Sequence, residues 1–149
     1  MDWDPAKAEH HENDQTVADV WAPAPGMLVT RARGVGSVAA IRWYTSRVDR
    51  FLMRGDKLEI VFHHWAEVTS FEAEARSYLR GWASQRASKL GEAHYLVSSK
   101  LLAMAISAAA LALGRELHAH TDPQRFERLL DEAIIRRQIE RGRGGVAGT

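Results

Sequence analysis

The sequence lacks cysteine altogether and has no apolar run long enough to cross a membrane. The absence of cysteine excludes a disulfide framework and thiol catalysis, and it leaves histidine and carboxylates as the available metal ligands. The longest apolar run, Leu101–Gly114, is shorter than the roughly 20 residues that a helix needs to span a bilayer. No charged segment followed by an apolar one opens the chain, so we expect no secretory signal, no stable membrane insertion and a cytoplasmic location.

The residues that are present indicate a single globular domain. The chain has 149 residues, of which 46% are apolar and 26% charged, and its net charge is +1. The charge is unevenly spread, which divides the chain into an acidic segment at 1–15, a domain at 16–135 and an Arg/Gly-rich tail at 136–149. We expect both end segments to be flexible. The arginines lack an aromatic platform, so we expect no nucleic-acid partner.

Strand-like and helix-like segments alternate along the domain. Apolar alternation predicts five strands, at Thr16–Trp21, Met27–Arg33, Lys57–Trp65, Ala93–Ser99 and Leu117–Thr121. Apolar residues spaced by three and four predict four helices, which begin after Ser37, at Ser70, at Lys100 and at Pro123. This order predicts an α/β fold with a mixed, mostly parallel sheet behind an antiparallel first hairpin. If each strand lies beside the previous one, the helices pack mainly on one face.

A polar segment follows the third predicted strand and invites two interpretations. Thr69 and Glu72 are spaced as a capping box, in which hydroxyl and carboxylate satisfy free amides at the start of a helix. Glu72 and Glu74 also lie where a helix dipole favours negative charge. The segment is therefore either a capped helix start or an interaction surface, which we expect to comprise Trp65, Thr69, Ser70, Glu72 and Glu74.

Three stretches carry a resemblance to a known family: IVFHHWAEVTSFEAEAR (Ile60–Arg76), AHYLVSSKLLAMAISAAALALG (Ala93–Gly114) and DPQRFERLLDEA (Asp122–Ala133). They resemble the SpoIIAA-like (STAS/SEC14-type) bacterial proteins of the STAS-domain superfamily. The resemblance implies a STAS-like fold and a non-enzymatic regulatory or scaffolding module that binds another bacterial protein. In the sporulation antagonists of this superfamily, a serine after the third strand is phosphorylated. Ala73 falls at that position and Glu74 follows it, so the phosphoserine switch is expected to be missing.

Histidine is the remaining residue type that could form a chemically active site. Strand alternation predicts that four histidines share the sheet face without helices, namely His63, His94, His118 and His120. A His-x-His pair on a strand is able to hold zinc, but the sequence fixes no carboxylate nearby, so we expect no metal. An imidazole cluster exposed to solvent or to a partner is the favoured interpretation. An open apolar face also predicts a homodimer that buries it.

The alanine-rich helix Lys100–Leu113 suggests an alternative function. SEC14-type relatives imply a binder of small hydrophobic ligands or lipids, and small side chains beside Met104 and Ala108 would leave room for such a ligand. The other interpretation is that the alanines allow the helix to pack closely on the sheet. Ser98 or Ser99 is expected to cap this helix. No convergent catalytic set is visible, so we expect no catalytic residues, no cofactor and no enzymatic activity.

Overall fold

The computed structural model describes the backbone of residues 7–55 and 57–147, and the side chains of these residues except 112–113 and 141–147. The strands are β1 (Glu9–Glu12), β2 (Thr16–Ala24), β3 (Met27–Gly36), β4 (Leu58–Phe71), β5 (Leu90–Leu96) and β6 (Leu117–His120). The α-helices are α1 (Val38–Met53), α2 (Ala73–Gln85), α3 (Lys100–Leu113) and α4 (Pro123–Ala147). A short 3-10 helix, Ala87–Lys89, precedes β5.

All six strands form one sheet in the order β1-β2-β3-β4-β5-β6, which is also their order in the chain. The pairs β1/β2 and β2/β3 are antiparallel, and β3/β4, β4/β5 and β5/β6 are parallel. Each parallel pair is connected through one of the helices α1, α2 and α3. The expected α/β class, the antiparallel hairpin and the mostly parallel sheet are confirmed.

The sheet has one strand more than expected, because residues of the acidic N-terminal segment join its edge. β1 pairs antiparallel with β2, with Glu9 opposite Val20 and His11 opposite Ala18. The flexibility of residues 1–15 stays a prediction, and Glu9–Glu12 of that segment form an edge strand. The strand reads Glu-His-His-Glu and has no apolar alternation, since an edge strand at the rim needs no apolar face.

Helices cover both faces of the sheet, whereas we expected them to pack mainly on one face. On the face that we call the α1 face, α1 and α2 pack over Leu28, Val61 and Ala93. Asp49 of α1 joins these two helices, since its carboxylate accepts hydrogen bonds from Trp82 Nε1 and Arg86 Nη2, each at 3.0 Å. On the opposite α4 face, the apolar side of α4 packs over residues of β2 to β5. Its core comprises Ala24, Met27, Val29, Ile60, Phe62, Leu96, Phe126, Leu130 and Ala133.

The capping-box prediction is wrong, because β4 continues to Phe71 and α2 begins only at Ala73. Thr69 lies on the strand, and its hydroxyl donates to the Gly34 carbonyl at 3.2 Å. Glu72 caps the other helix, with Oε1 accepting a hydrogen bond from the Val38 amide of α1 at 3.1 Å. Pairing with β3 extends to the end of β4, so this long ladder takes precedence over the local capping pattern.

α3 has the bounds that the sequence predicts. The Ser99 hydroxyl accepts from the Leu102 amide at 3.3 Å, and Gly114 ends the helix in the left-handed region with φ of 62°. Among residues 100–111, whose side chains the structure describes, none belongs to either core cluster, and large apolar side chains face solvent. None of the described helices combines the length and hydropathy of a membrane span.

α4 runs on into the Arg/Gly-rich segment that was expected to be flexible, and its backbone is helical to Ala147. Arg137 ties this helix to the sheet, because its Nη1 donates to Glu59 Oε2 at 2.7 Å and to the Pro25 carbonyl at 3.2 Å. The flexibility of the segment from residue 136 stays a prediction. Residues 148–149, like residues 1–6 at the other end, lie outside the described residues.

Candidate functional site

The most chemically distinctive group of side chains lies on the α4 face, between β5 and the edge strand β6. The register places His94 directly opposite His118, and Leu96 opposite His120. Glu92 lies two residues before His94 and so shares its face, because side chains alternate along a strand. We call Glu92, His94, His118 and His120 the histidine cluster.

Polar contacts within the histidine cluster are short. One carboxylate oxygen of Glu92 lies 3.3 Å from His94 Nε2, and the other lies 3.6 Å from His118 Nε2. His94 Nδ1 lies 3.0 Å from His120 Nε2. The three rings are stacked, with His94 4.7 Å from His118 and 5.3 Å from His120, centroid to centroid. Two imidazole nitrogens therefore converge on a single carboxylate.

Burial varies across this cluster. The His94 side chain is 11% exposed and stacks on the Phe62 ring at 4.6 Å, whereas the His118 side chain is 46% exposed. Burial lowers the pKa of His94, and the hydrogen bond to Glu92 opposes that shift. Burial also lowers the pKa of His120, and the neighbouring His94 adds to the effect. Both shifts favour the neutral imidazole, because an apolar environment penalises the charged form.

His63 does not belong to the histidine cluster, contrary to the prediction that four histidines share one face. The register pairs His63 with Tyr95 and Phe62 with His94, which puts His63 on the α1 face. The alternation of side chains within each strand was predicted correctly. Which face of β4 matches which face of β5 was predicted wrongly, because this depends on how the two strands pair. The face with the other three histidines is also not open, since α4 covers part of it.

His63 is buried among aromatic side chains. Its Nδ1 lies 2.7 Å from the Thr30 hydroxyl, and its ring stacks on Tyr95 with a centroid distance of 4.6 Å. Tyr44 meets it edge-on at 5.7 Å. Burial, with the positive charge of Arg115 as the next cause, lowers the pKa of His63 to about 3. This histidine is a neutral packing residue at physiological pH.

The expected interaction surface is divided by the extension of β4. Trp65 is half-buried on the α1 face, where its Nε1 donates to the Thr30 hydroxyl at 3.0 Å. Thr69, Ser70, Glu72 and Glu74 are all exposed at the end of β4 and the start of α2. These four side chains form an accessible rim, and their role in binding a partner stays a prediction.

The alternative ligand cavity beside α3 is not where the sequence placed it. Met104 is 71% exposed, and Ala108 is also exposed, so neither side chain lines a space between helix and sheet. A cavity of about 30 Å³ lies elsewhere, between β2, β3, α1 and the end of β4, with Trp65 and Phe71 in its wall. Sites for drug-sized ligands take about 300–1,000 Å³.

Comparison with known proteins identifies the fold. No protein-family model matches the sequence, and no curated protein matches it significantly. A solved structure does match, that of an uncharacterized protein from the DUF3478 family from Shewanella loihica PV-4, described as having a SpoIIAA-like fold. The TM-score is 0.59, with 11% identity over 83% of this chain and 91% of that chain. This chain has a SpoIIAA-like fold.

The SpoIIAA-like fold confirms the resemblance that the three sequence stretches carried, at the level of architecture. In this fold the position expected for the phosphorylated serine, Ala73, is the first residue of α2 and has no hydroxyl. Glu92 is the site residue that the sequence analysis missed. The Glu-Ala-His and His-Ala-His triplets at 92–94 and 118–120 each put two polar groups on one strand face, and this was the available signal.

Proposed function

We propose that this protein is a non-enzymatic protein-interaction module that docks through α3 and forms a homodimer there. The observation that carries the proposal is the exposure of the large apolar side chains of this helix. Leu101 is 79% exposed, Met104 71% and Leu111 88%. Contiguous exposed apolar surface of this kind marks an interaction site in most proteins that carry it.

The composition of α3 supports an apolar partner. Lys100 is the only charged residue among its 14 positions, and the rest of the helix is leucine, alanine, methionine, isoleucine and serine. Docked helices of this type bury leucine and methionine at the centre of the contact, and small alanines let the backbones approach. A second copy of the same helix meets both requirements, since a two-fold axis brings one patch against itself.

The same observation favours an interaction module over a ligand binder. A hydrophobic-ligand site needs apolar side chains turned towards an enclosed space, but Met104 and Ala108 face solvent. The lack of a hydroxyl at Ala73 supports a module that works without the phosphoserine switch. Thr69, Ser70, Glu72 and Glu74 offer a second, acidic rim to which another bacterial protein would bind.

Light scattering coupled to size-exclusion chromatography tests the proposal. We expect a dimer for the full chain at micromolar concentrations and a monomer for Met104→Glu, because a buried unpaired carboxylate in the contact is costly. Met53→Glu is the matched control, since Met53 is 86% exposed on a different helix, α1. A monomeric wild-type protein, or dissociation of both variants alike, would contradict docking through α3.

A further inference from the structure

We propose that Glu92, His94 and His118 bind a divalent zinc ion at the edge of the sheet, between β5 and β6. This goes beyond the interaction function and does not rest on it. One ligand atom from each of the three side chains lies within 4.8 Å of the other two. Imidazole nitrogen and carboxylate oxygen are both zinc ligands, and three protein ligands with one further position form a recurrent zinc geometry.

The observed distances fit a tetrahedral ion. Zinc–nitrogen and zinc–oxygen bonds of about 2.0–2.2 Å put two ligand atoms of a tetrahedral site about 3.3–3.5 Å apart. Glu92 Oε2 lies 3.3 Å from His94 Nε2, and Oε1 lies 3.6 Å from His118 Nε2. The three ligand atoms lie within 4.8 Å of one another, so side-chain rotations that move them by about 1 Å close the site around an ion.

The backbone fixes these ligands independently of any ion. His94 and His118 are directly paired residues of neighbouring parallel strands, and the Ala93 amide donates to the Glu116 carbonyl at 2.9 Å where β6 begins. Phe62 stacks under the His94 ring at 4.6 Å and limits its rotation. A site built on paired strands loses little conformational entropy when it binds, which favours affinity.

The hydrogen bond between His94 and His120 supplies the outer contact that zinc-binding histidines usually have. Without an ion, His94 Nε2 lies 3.3 Å from the Glu92 carboxylate, at the distance of a hydrogen bond that the imidazole donates. Zinc on Nε2 takes the place of that hydrogen, and the imidazole then carries its hydrogen on Nδ1. His94 Nδ1 lies 3.0 Å from His120 Nε2, which accepts from it in this tautomer.

Solvent reaches the site from one side. The side chains of Glu92 and His118 are 34% and 46% exposed, whereas that of His94 is 11% exposed. The ion therefore has an entry path past the edge strand, and water is able to fill the fourth position. The ligand set contains no sulfur, and its imidazole nitrogens suit zinc as well as copper, iron and nickel. Three protein ligands with one open position are typical of zinc in particular.

Calorimetric titration with zinc chloride alone tests the site. The full chain, without a histidine tag, is first stripped with EDTA and dialysed into metal-free buffer. We expect one zinc per chain with micromolar or tighter affinity. Glu92→Gln and His118→Ala each remove one ligand, and we expect each to weaken binding at least about tenfold. Both side chains are partly exposed, so these variants should still fold, which circular dichroism checks.

Two further comparisons make the test specific. The double variant His10→Ala, His11→Ala removes the histidine pair on β1 and should bind zinc as wild type does. His120→Phe should weaken binding about 10-fold to 100-fold as a loss of the positioning contact, and His120→Gln, which keeps an acceptor, should restore part of it. Wild-type affinity weaker than about 100 µM, or full binding by both Glu92→Gln and His118→Ala, would overturn the proposal.

Discussion

Two histidines on neighbouring strands, His63 on β4 and His94 on β5, point to opposite faces of the sheet and have contrasting surroundings. His63 is 3% exposed, bonded to the Thr30 hydroxyl and enclosed by aromatic rings. His94 has a carboxylate at one ring nitrogen and an imidazole at the other. Burial lowers the pKa of both. The difference lies in the partners, because a hydroxyl completes a packed core whereas a carboxylate and further imidazoles form a site.

The comparison shows that residue type and burial alone do not distinguish a structural histidine from a functional one. His63 is 3% exposed, and the rings of Tyr44 and Tyr95 pack against it. His94 lies beside the exposed side chain of His118 and the half-exposed one of Glu92. Solvent access and a second ionisable side chain distinguish the α4 side of the sheet, and they support the zinc site proposed there.

The largest expected effect is on folding stability. His63→Ala removes a buried ring and one of the two partners of the Thr30 hydroxyl, and we expect it to lower the free energy of unfolding by about 3 kcal/mol. His118→Ala, on the exposed side, should change it by less than about 0.5 kcal/mol in metal-free buffer. Urea unfolding followed by tryptophan fluorescence measures both. Equal losses would remove the contrast between the two faces.

Thr30 provides the next test, because its hydroxyl faces both His63 Nδ1 at 2.7 Å and Trp65 Nε1 at 3.0 Å. Thr30→Val keeps the shape but takes the hydroxyl partner from both groups, and we expect a loss of about 2 kcal/mol. Thr30→Ser keeps the hydroxyl and should lose less. The same urea titration compares them, and a valine variant as stable as the serine variant would show that the α1 face does not depend on this bond.

Acid should weaken the protein through His63. Its folded-state pKa of about 3 lies below the ordinary value of 6.5, so between these values the unfolded chain binds more protons. The stability is fully present above pH 6.5 and is lost towards pH 3, by at most about 1.4 kcal/mol per pH unit from this group. The titratable side chains in contact with its ring are Tyr44 and Tyr95, and positive charge on Arg115 and on His94 also disfavours its protonation.

Urea midpoints between pH 7.5 and pH 5 check this contribution. His63→Gln, which cannot titrate, should show a shallower dependence of stability on pH than the wild type, even if it is less stable at every pH. His118→Ala serves as the matched control, and its slope should stay near that of the wild type. Equal slopes in wild type and His63→Gln would mean that His63 titrates normally in the folded protein.

The smallest effect is expected at the rim of the α1 face. Glu72→Ala removes the acceptor for the Val38 amide at the start of α1 and should cost about 0.5–1 kcal/mol. Thr69→Ala removes an exposed hydroxyl and should cost less than about 0.5 kcal/mol, and Glu74→Gln should be nearly silent. Thermal unfolding ranks the three. A larger loss for Thr69→Ala would restore the capping-box interpretation.

Features encoded locally were predictable from the sequence. The bounds of α3, its cap at Ser99 and its end at Gly114 follow from composition and capping, and the structure reproduces them. The alternation of strands with helices likewise predicts the parallel part of the sheet, because a helical connection suits parallel neighbours.

Features set by pairing between strands were not predictable. The length of β4 depends on its pairing with β3. The segment β1 has no apolar pattern of its own, and it is a strand because it pairs with β2. Whether His63 and His94 share a face depends on the register between β4 and β5. The sequence of either strand alone does not determine that register. The contact of Glu92 with His118 across two strands was missed for the same reason.

The order of the strands in the sheet also bears on how the molecule is assembled. Each strand pairs with its neighbour in the chain, so the pairings of the sheet join residues that are close in sequence. Contacts between residues close in sequence favour fast folding. The contact that spans most of the chain is made by α4, whose Arg137 reaches the Pro25 carbonyl across 112 positions. On a ribosome, the sheet is therefore able to form before α4 emerges. Until then, Phe62, Leu96 and Met27 lack their cover, and a nascent chain at that stage is the form most prone to aggregate.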